Sequence, residues 1–248
     1  MKLLDASFES CGDLQELFQP LSPDLVALQL SSGLLKGRAQ AWGFDGFRLN
    51  LLTTNQTLFL SGARRPESCT LALPLDPSKS DGAYQAQGIS MPWPGLMGFN
   101  RSLIDFDLKL PAGAQLATVV IKKAAWLDRH GQTGGPLLMK RWKTTNQLEV
   151  RPPLHDQIQQ HLMALMHGQA DGERTEPSEQ LMQTLICCFE DPTAAGATPT
   201  KLSNPCKTSI SKKATHHWYK SSIFFTATAG TNRAFLSPPP NGGGDKNQ

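Results

Sequence analysis

"MGFNRSLIDFDLKLPAGAQLATVVI", residues 97–121, alternates polar and apolar side chains, breaks at Pro111-Ala112-Gly113, then runs apolar to Ile121. Phe106, Leu108 and Leu110 point one way while Asp107 and Lys109 point the other, so one face is buried and one is wet. Such alternation marks antiparallel sheet, because parallel strands are covered on both faces and read as near-continuous apolar runs. The stretch therefore predicts two strands joined by a tight turn, a hairpin punctuated at Pro-Ala-Gly.

The same period of two extends upstream to residue 25. It predicts strands over 26–30, 37–44, 47–52, 56–60, 69–75, 83–87, 96–99, 104–110 and 115–121. Asp45-Gly46 between Phe44 and Phe47 is a strong two-residue hairpin signal, since a primed turn wants positive φ at both centres. Many short strands at intervals of about 8–12 residues point to a sandwich or barrel. An antiparallel β-barrel or jelly roll is expected over 25–121, within a mixed α/β (α+β) chain.

Helical spacing flanks this region. Leu14, Leu17 and Phe18 lie on one side of a short helix over 13–18 that Pro20 and Pro23 end. Beyond Lys122, helices are expected over 122–129 and 136–143, separated by HGQTGG. A better one covers 153–167, where Pro152 and Pro153 suit a helix start and Leu154, Ile158, Leu162 and Leu165 form a stripe. Residues 177–190 repeat the pattern with Leu181, Leu185, Ile186 and Phe189, which makes an α-hairpin. After Asp191 the composition turns to Thr, Ser, Ala, Lys and Pro with no stripe, too little apolar surface to offset the entropy of ordering. The expected organisation is a β-barrel domain over 11–130, a helical segment over 131–191 and a disordered basic tail over 192–248.

Charge follows the same division. The 248 residues carry a net charge of +3, yet residues 196–248 hold 7 Lys/Arg against Asp245 alone, so the basic character belongs to the tail. Asp5 and Glu9 interrupt any secretory h-region, and no stretch approaches the roughly 20 apolar residues of a membrane span. A cytoplasmic location and no membrane partner are expected. The 5 cysteines are odd in number and lack C-x-x-C spacing, which argues against a disulfide framework and a zinc site.

Few residues promise chemistry. Residues 25–121 contain no histidine, and His155, His161 and His167 step by 6, so they do not share a helix face. No metal site and no cofactor are expected. There is no G-x-S-x-G elbow and no phosphate-binding Gly-rich loop. Asp105 and Asp107 share a strand face, but it is the wet one. No catalytic residue is assigned, and the chain is expected not to be an enzyme. Aromatics are more suggestive: Trp42, Phe44 and Phe59 fall on strands, and Trp93 and Phe99 flank PWPGLMGF. With Arg48 they form a candidate effector pocket in the mouth of a small barrel, although filling a core is the more ordinary use of aromatics. Asn50 and Asn55 could orient a polar effector beside Arg48.

Three stretches, RPESCTLALPL (65–75), MPWPGLMGFN (91–100) and FDLKLPAGAQLATVVI (106–121), resemble the N-terminal regulatory domain of AraC/XylS-type transcription regulators, particularly the cyanobacterial form. LSSGLLKGRAQAWGFDGFRLNLL (30–52) and the downstream helix pair are also similar to that family, and the resemblance covers roughly residues 11–190. It implies a cupin-like sensory barrel, a small-molecule effector, and dimerisation through the helices that follow. Leu154, Ile158, Leu162 and Leu165 are the candidate dimer surface, though packing on the barrel would use the stripe equally well.

The family also implies a C-terminal domain with two helix-turn-helix units. The 58 residues after Glu190 lack that periodicity, so no recognition helix carries over. A truncated or frameshifted remnant would explain the change in composition, as would a natural sensor-only protein. The expected function is the effector-sensing and dimerising part of an AraC-type regulator, as a homodimer or as a heterodimer with a related regulator. DNA would be reached through a missing domain, or weakly through the basic tail with strong salt dependence. The alternative is a stand-alone small-molecule-binding β-barrel or a dominant-negative dimer partner.

Overall fold

In a computed structural model, residues 1–99, 103–130, 140–141, 143–167 and 175–191 are described. Their strands are β1 (Lys2–Phe8), β2 (Val26–Gln29), β3 (Gly37–Gly43), β4 (Phe47–Thr54), β5 (Leu58–Ala63) and β6 (Ser68–Pro74). These continue with β7 (Gln85–Ala86), β8 (Ile89–Ser90), β9 (Gly95–Met97), β10 (Asp105–Leu110), β11 (Gln115–Lys122) and β12 (Gln147–Glu149). The helices are α1 (Cys11–Phe18), α2 (Lys123–His130), α3 (Pro152–His167) and α4 (Thr175–Glu190).

β10 and β11, the two strands of FDLKLPAGAQLATVVI, do not pair with each other. β10 pairs with β5 and β7, whereas β11 pairs with β4 and β6. Pro111-Ala112-Gly113 thus carries the chain from one sheet to the other, which corrects the expected hairpin to a crossover. Gly113 sits at φ +75°, and a Cβ there would lie 2.2 Å from the Lys79 carbonyl oxygen. Only glycine allows both the left-handed backbone and this approach. Asp81 N–H fastens the crossover by donating to the Ala112 carbonyl at 2.8 Å. By contrast β3 and β4 do form the Asp45-Gly46 hairpin, with Gly43 opposite Arg48.

The strands make two antiparallel sheets, of order β1-β3-β4-β11-β6-β9-β12 and β2-β5-β10-β7-β8. Each has free edges, so the expected barrel is not closed. Among the described strands those edges are β1 and β12 of the larger sheet and β2 and β8 of the smaller. The chain is mixed α/β, as expected.

One core lies between the sheets. Phe8, Leu52, Ala72, Met97 and Leu116 of the larger sheet meet Ala27, Leu58, Leu60, Ala86 and Leu110 of the smaller. A second core covers the opposite face of the larger sheet. Leu49, Leu71, Val119 and Ile121 pack there with Trp126 of α2 and with Ile158, Leu162, Leu181 and Leu185 of the helix pair. The larger sheet is therefore buried on both faces, although all its pairings are antiparallel. Gln159 of α3 donates to the Leu75 carbonyl, and Arg151 donates to the buried Asp191 carboxylate just past α4. β1 and β12 extend the larger sheet with residues outside 11–130.

The stripe Leu154, Ile158, Leu162 and Leu165, a candidate dimer surface in the sequence, belongs to this second core: Leu162 is 0% and Ile158 1% exposed, and Leu154 packs against it half-buried. The stripe covers the helix-side face of the larger sheet. The helix expected over 136–143 lies partly, and the disorder expected over 192–248 wholly, outside the described residues. Among the described residues no helix is long and apolar enough to cross a membrane.

Candidate functional site

Between the sheets the core opens into a cavity of about 160 Å³. Its size compares with the apolar cavity of ~150 Å³ known to hold a benzene ring. One wall comes from the larger sheet, through the residues of β4, β11 and β6 that face away from the helices. The opposite wall is Leu60 and Ala63 of β5 with Phe106 and Leu108 of β10. Leu14 and Phe18 of α1, with Leu21, Ser22 and Leu25 after it, form a third side of this half-open cavity. α1 is fixed by a capping box, in which Asp13 N–H donates to Ser10 Oγ at 3.1 Å and Ser10 N–H donates to Asp13 Oδ2 at 3.0 Å.

Sheet register grades the larger wall from apolar to charged. Leu116 stands opposite Leu52 and Pro74; the next inward rung places Thr118 between Asn50 and Ala72; the one after places Val120 between Arg48 and Thr70. Ser68, Arg64 and Arg65 continue the lining beyond that rung. The cavity therefore runs from a leucine floor, across an amide and a hydroxyl, to guanidinium groups.

The polar groups are incompletely matched. Asn50 is 6% exposed and donates from Nδ2 to Thr118 Oγ1 at 2.8 Å, leaving its buried Oδ1 without a partner. Because a threonine hydroxyl both donates and accepts, turning the amide over would instead leave the N–H₂ free. Arg48 reaches the Leu21 carbonyl from Nη1 at 3.4 Å, and its buried Nε has no acceptor. Burial, and then the positive charge of Arg65, hold the Arg48 pKa below its usual value. Arg64 is better placed, donating to the Gly98 carbonyl at 2.6 Å and the Asp105 carbonyl at 2.8 Å. Among the described residues, no Asp or Glu lines the cavity.

Of the candidate effector residues, Arg48 alone lines this cavity. Trp42 and Phe99 belong to the helix-side core, where Phe99 meets the Phe189 ring edge-on at 4.8 Å. Phe44 stacks on Phe47 at 4.8 Å, also against that core. Phe59 lies half-buried on the outer face of the smaller sheet, opposite Leu28 and Lys109. Trp93 is 47% exposed and meets the His155 ring at 4.4 Å. Asn50 lines the cavity, whereas Asn55 clamps a loop by accepting from Lys36 N–H and donating to the Leu34 carbonyl. Thr118, Thr70, Arg64 and Arg65 were missed. A polar residue at every second position of an otherwise apolar strand, as in Arg48-x-Asn50, was the available signal. Among the described residues no group of three or more His, Cys, Asp or Glu side chains could hold a metal ion.

No family model matches the sequence, and no curated protein does either. Among solved structures the chain is similar to that of the AraC-like transcriptional activator CuxR, with a TM-score of 0.50 and 9% identity. The match covers 76% of this chain and 70% of that one. At this identity the likeness is one of fold.

Proposed function

We propose that this chain is the effector-sensing and dimerising part of an AraC-type transcription regulator, with a cupin-like two-sheet sensor acting in the cytoplasm. In this reading it catalyses no reaction. Its effector is a small molecule, held between the sheets by the walls described above. The observation that carries the proposal is a half-open, graded cavity inside a fold shared over most of its length with an AraC-like activator.

The route from binding to output follows from the cavity's boundaries. α1 and the residues to Leu25 contribute one side, so an occupant that packs against Leu14 and Phe18 changes how firmly that side is held. Dimer contacts use surfaces other than the α3 stripe, which is already covered. DNA is contacted through a related partner regulator, or weakly through the basic residues of 196–248.

Transcript profiling tests this. A strain lacking the gene should show a discrete set of altered transcripts that the wild-type gene restores. Leu60→Trp, which fills the cavity, should leave the same transcripts fixed whatever the growth medium. Transcripts indistinguishable between the deletion and wild-type strains in rich and minimal media would contradict a regulatory role.

A further inference from the structure

We propose that the cavity takes a small amphipathic anion with a single anionic group, its apolar body of about ring size on the floor of Leu52, Leu60, Leu108 and Leu116 and its carboxylate or phosphate head at Arg48. This deepens the sensing reading and rests on it for the assignment of the cavity as a ligand site.

Three features converge on this chemistry. The first is the balance of charge. Arg48, Arg64 and Arg65 line the cavity and, among the described residues, no carboxylate does. An adjoining hollow of about 140 Å³, lined by Arg64, Arg65, Ser68, Thr70 and Lys123 among others, likewise has no Asp or Glu. A cationic ligand is repelled from such a site, and an anion is drawn to it.

The second is the unmet bonding capacity. A buried guanidinium is costly unless its N–H groups are bonded. Arg48 has one long hydrogen bond and a buried Nε with none. An oxyanion supplies charge-assisted acceptors for a planar fork of this kind. One rung deeper, Asn50 offers a free amide atom to a second oxygen or to a hydroxyl on the ligand.

The third is the floor. Leu52, Leu60, Leu108 and Leu116 offer no polar side-chain atom, so a second charged group placed there would be stripped of water without compensation. A sugar, with hydroxyls on every side, would leave several unbonded there. An apolar ring or short branched chain ending in one anionic group satisfies all three conditions.

Titration calorimetry on the full chain with phenylpropanoate, phenyl phosphate and the uncharged phenylpropanamide tests the proposal. At least one anion should bind about tenfold or more tightly than the amide, and which anion binds tighter identifies the head group. Arg48→Met should weaken that anion by on the order of 10- to 100-fold, the range expected for a hydrogen bond to a charged group. Arg65→Gln, at an exposed position, provides a second variant should Arg48→Met fail to fold, and should weaken the anion by a smaller factor. Rising salt should weaken the anions and leave the amide unaffected. Amide binding equal to that of both anions would overturn the anionic head while leaving the cavity as a ligand site. Anion binding unchanged in both arginine variants would overturn it too. Absence of binding by all three probes would overturn the ring-sized anion, and the transcript experiment would still judge the regulatory reading separately.

Discussion

Replacing Leu162 with glutamate is expected to unfold the chain rather than to split an oligomer. Leu162 is completely buried in α3 within the core that joins the helix pair to the larger sheet. The substitution forfeits roughly 1.5–3 kcal/mol of side-chain burial. It also places a carboxylate among apolar core side chains, a further penalty of several kcal/mol. The sum is comparable to the whole stability of an ordinary domain, about 5–15 kcal/mol. Loss of near-ultraviolet circular dichroism and of a cooperative melting transition is the expected readout. Met163→Glu is the matched control: its neighbouring side chain is 46% exposed, and its melting temperature should move little. A folded Leu162→Glu protein with a lower mass in sizing would instead make the stripe a dimer surface.

Gly113→Ala should be the costliest single-methyl change in the crossover between the sheets. Two effects add there. The backbone is left-handed, at φ +75°, which costs a residue with a Cβ roughly 1–2 kcal/mol. The new Cβ would also overlap the Lys79 carbonyl oxygen, and overpacking of this kind costs about 1–3 kcal/mol. Gly88→Ala separates the two effects, because Gly88 has φ +73° and an added methyl there would meet nothing within 4 Å. Chemical denaturation should give about 1–2 kcal/mol for Gly88→Ala and about 2–5 kcal/mol for Gly113→Ala. Equal losses would mean that Pro111-Ala112-Gly113 is not held against Lys79.

Strand positions between residues 26 and 121 were legible in the sequence because alternation is a local signal. Partner choice was not. A two-strand unit around Pro-Ala-Gly reads as a hairpin, yet whether the chain turns back on itself or passes to the other sheet is decided by β5, 42–52 residues before its partners in β10, and β4, 62–74 residues before its partners in β11. β1 left no trace because in LysLeuLeuAspAlaSerPhe only Phe8 is buried, and β12 spans just 3 residues. The helix stripe was read correctly as apolar, but its destination depended on the sheet having a second face to cover.

The site was half legible for a related reason. Aromatic side chains drew attention, and on the larger sheet they point to the helix layer, where large side chains fill space. The cavity belongs to the alternate residues, so Phe47, Leu49 and Leu51 pack toward the helices while Arg48, Asn50 and Leu52 face the space between the sheets. Thr118 became recognisable only once β11 was placed beside β4, opposite Asn50. Arg64 and Arg65 follow the end of β5 and join the lining through the fold alone.

Methyl NMR of the leucine- and valine-labelled chain, titrated with phenylpropanoate, asks most directly whether the space between the sheets is the ligand site. Shifts confined to the cavity-lining Leu14, Leu21, Leu25, Leu52, Leu60, Leu108, Leu116 and Val120, with Leu162, Leu181 and Leu185 unmoved, are the predicted result. Shifts centred on the helix-side leucines, or on Val26 and Leu28 of the outer face, would contradict it.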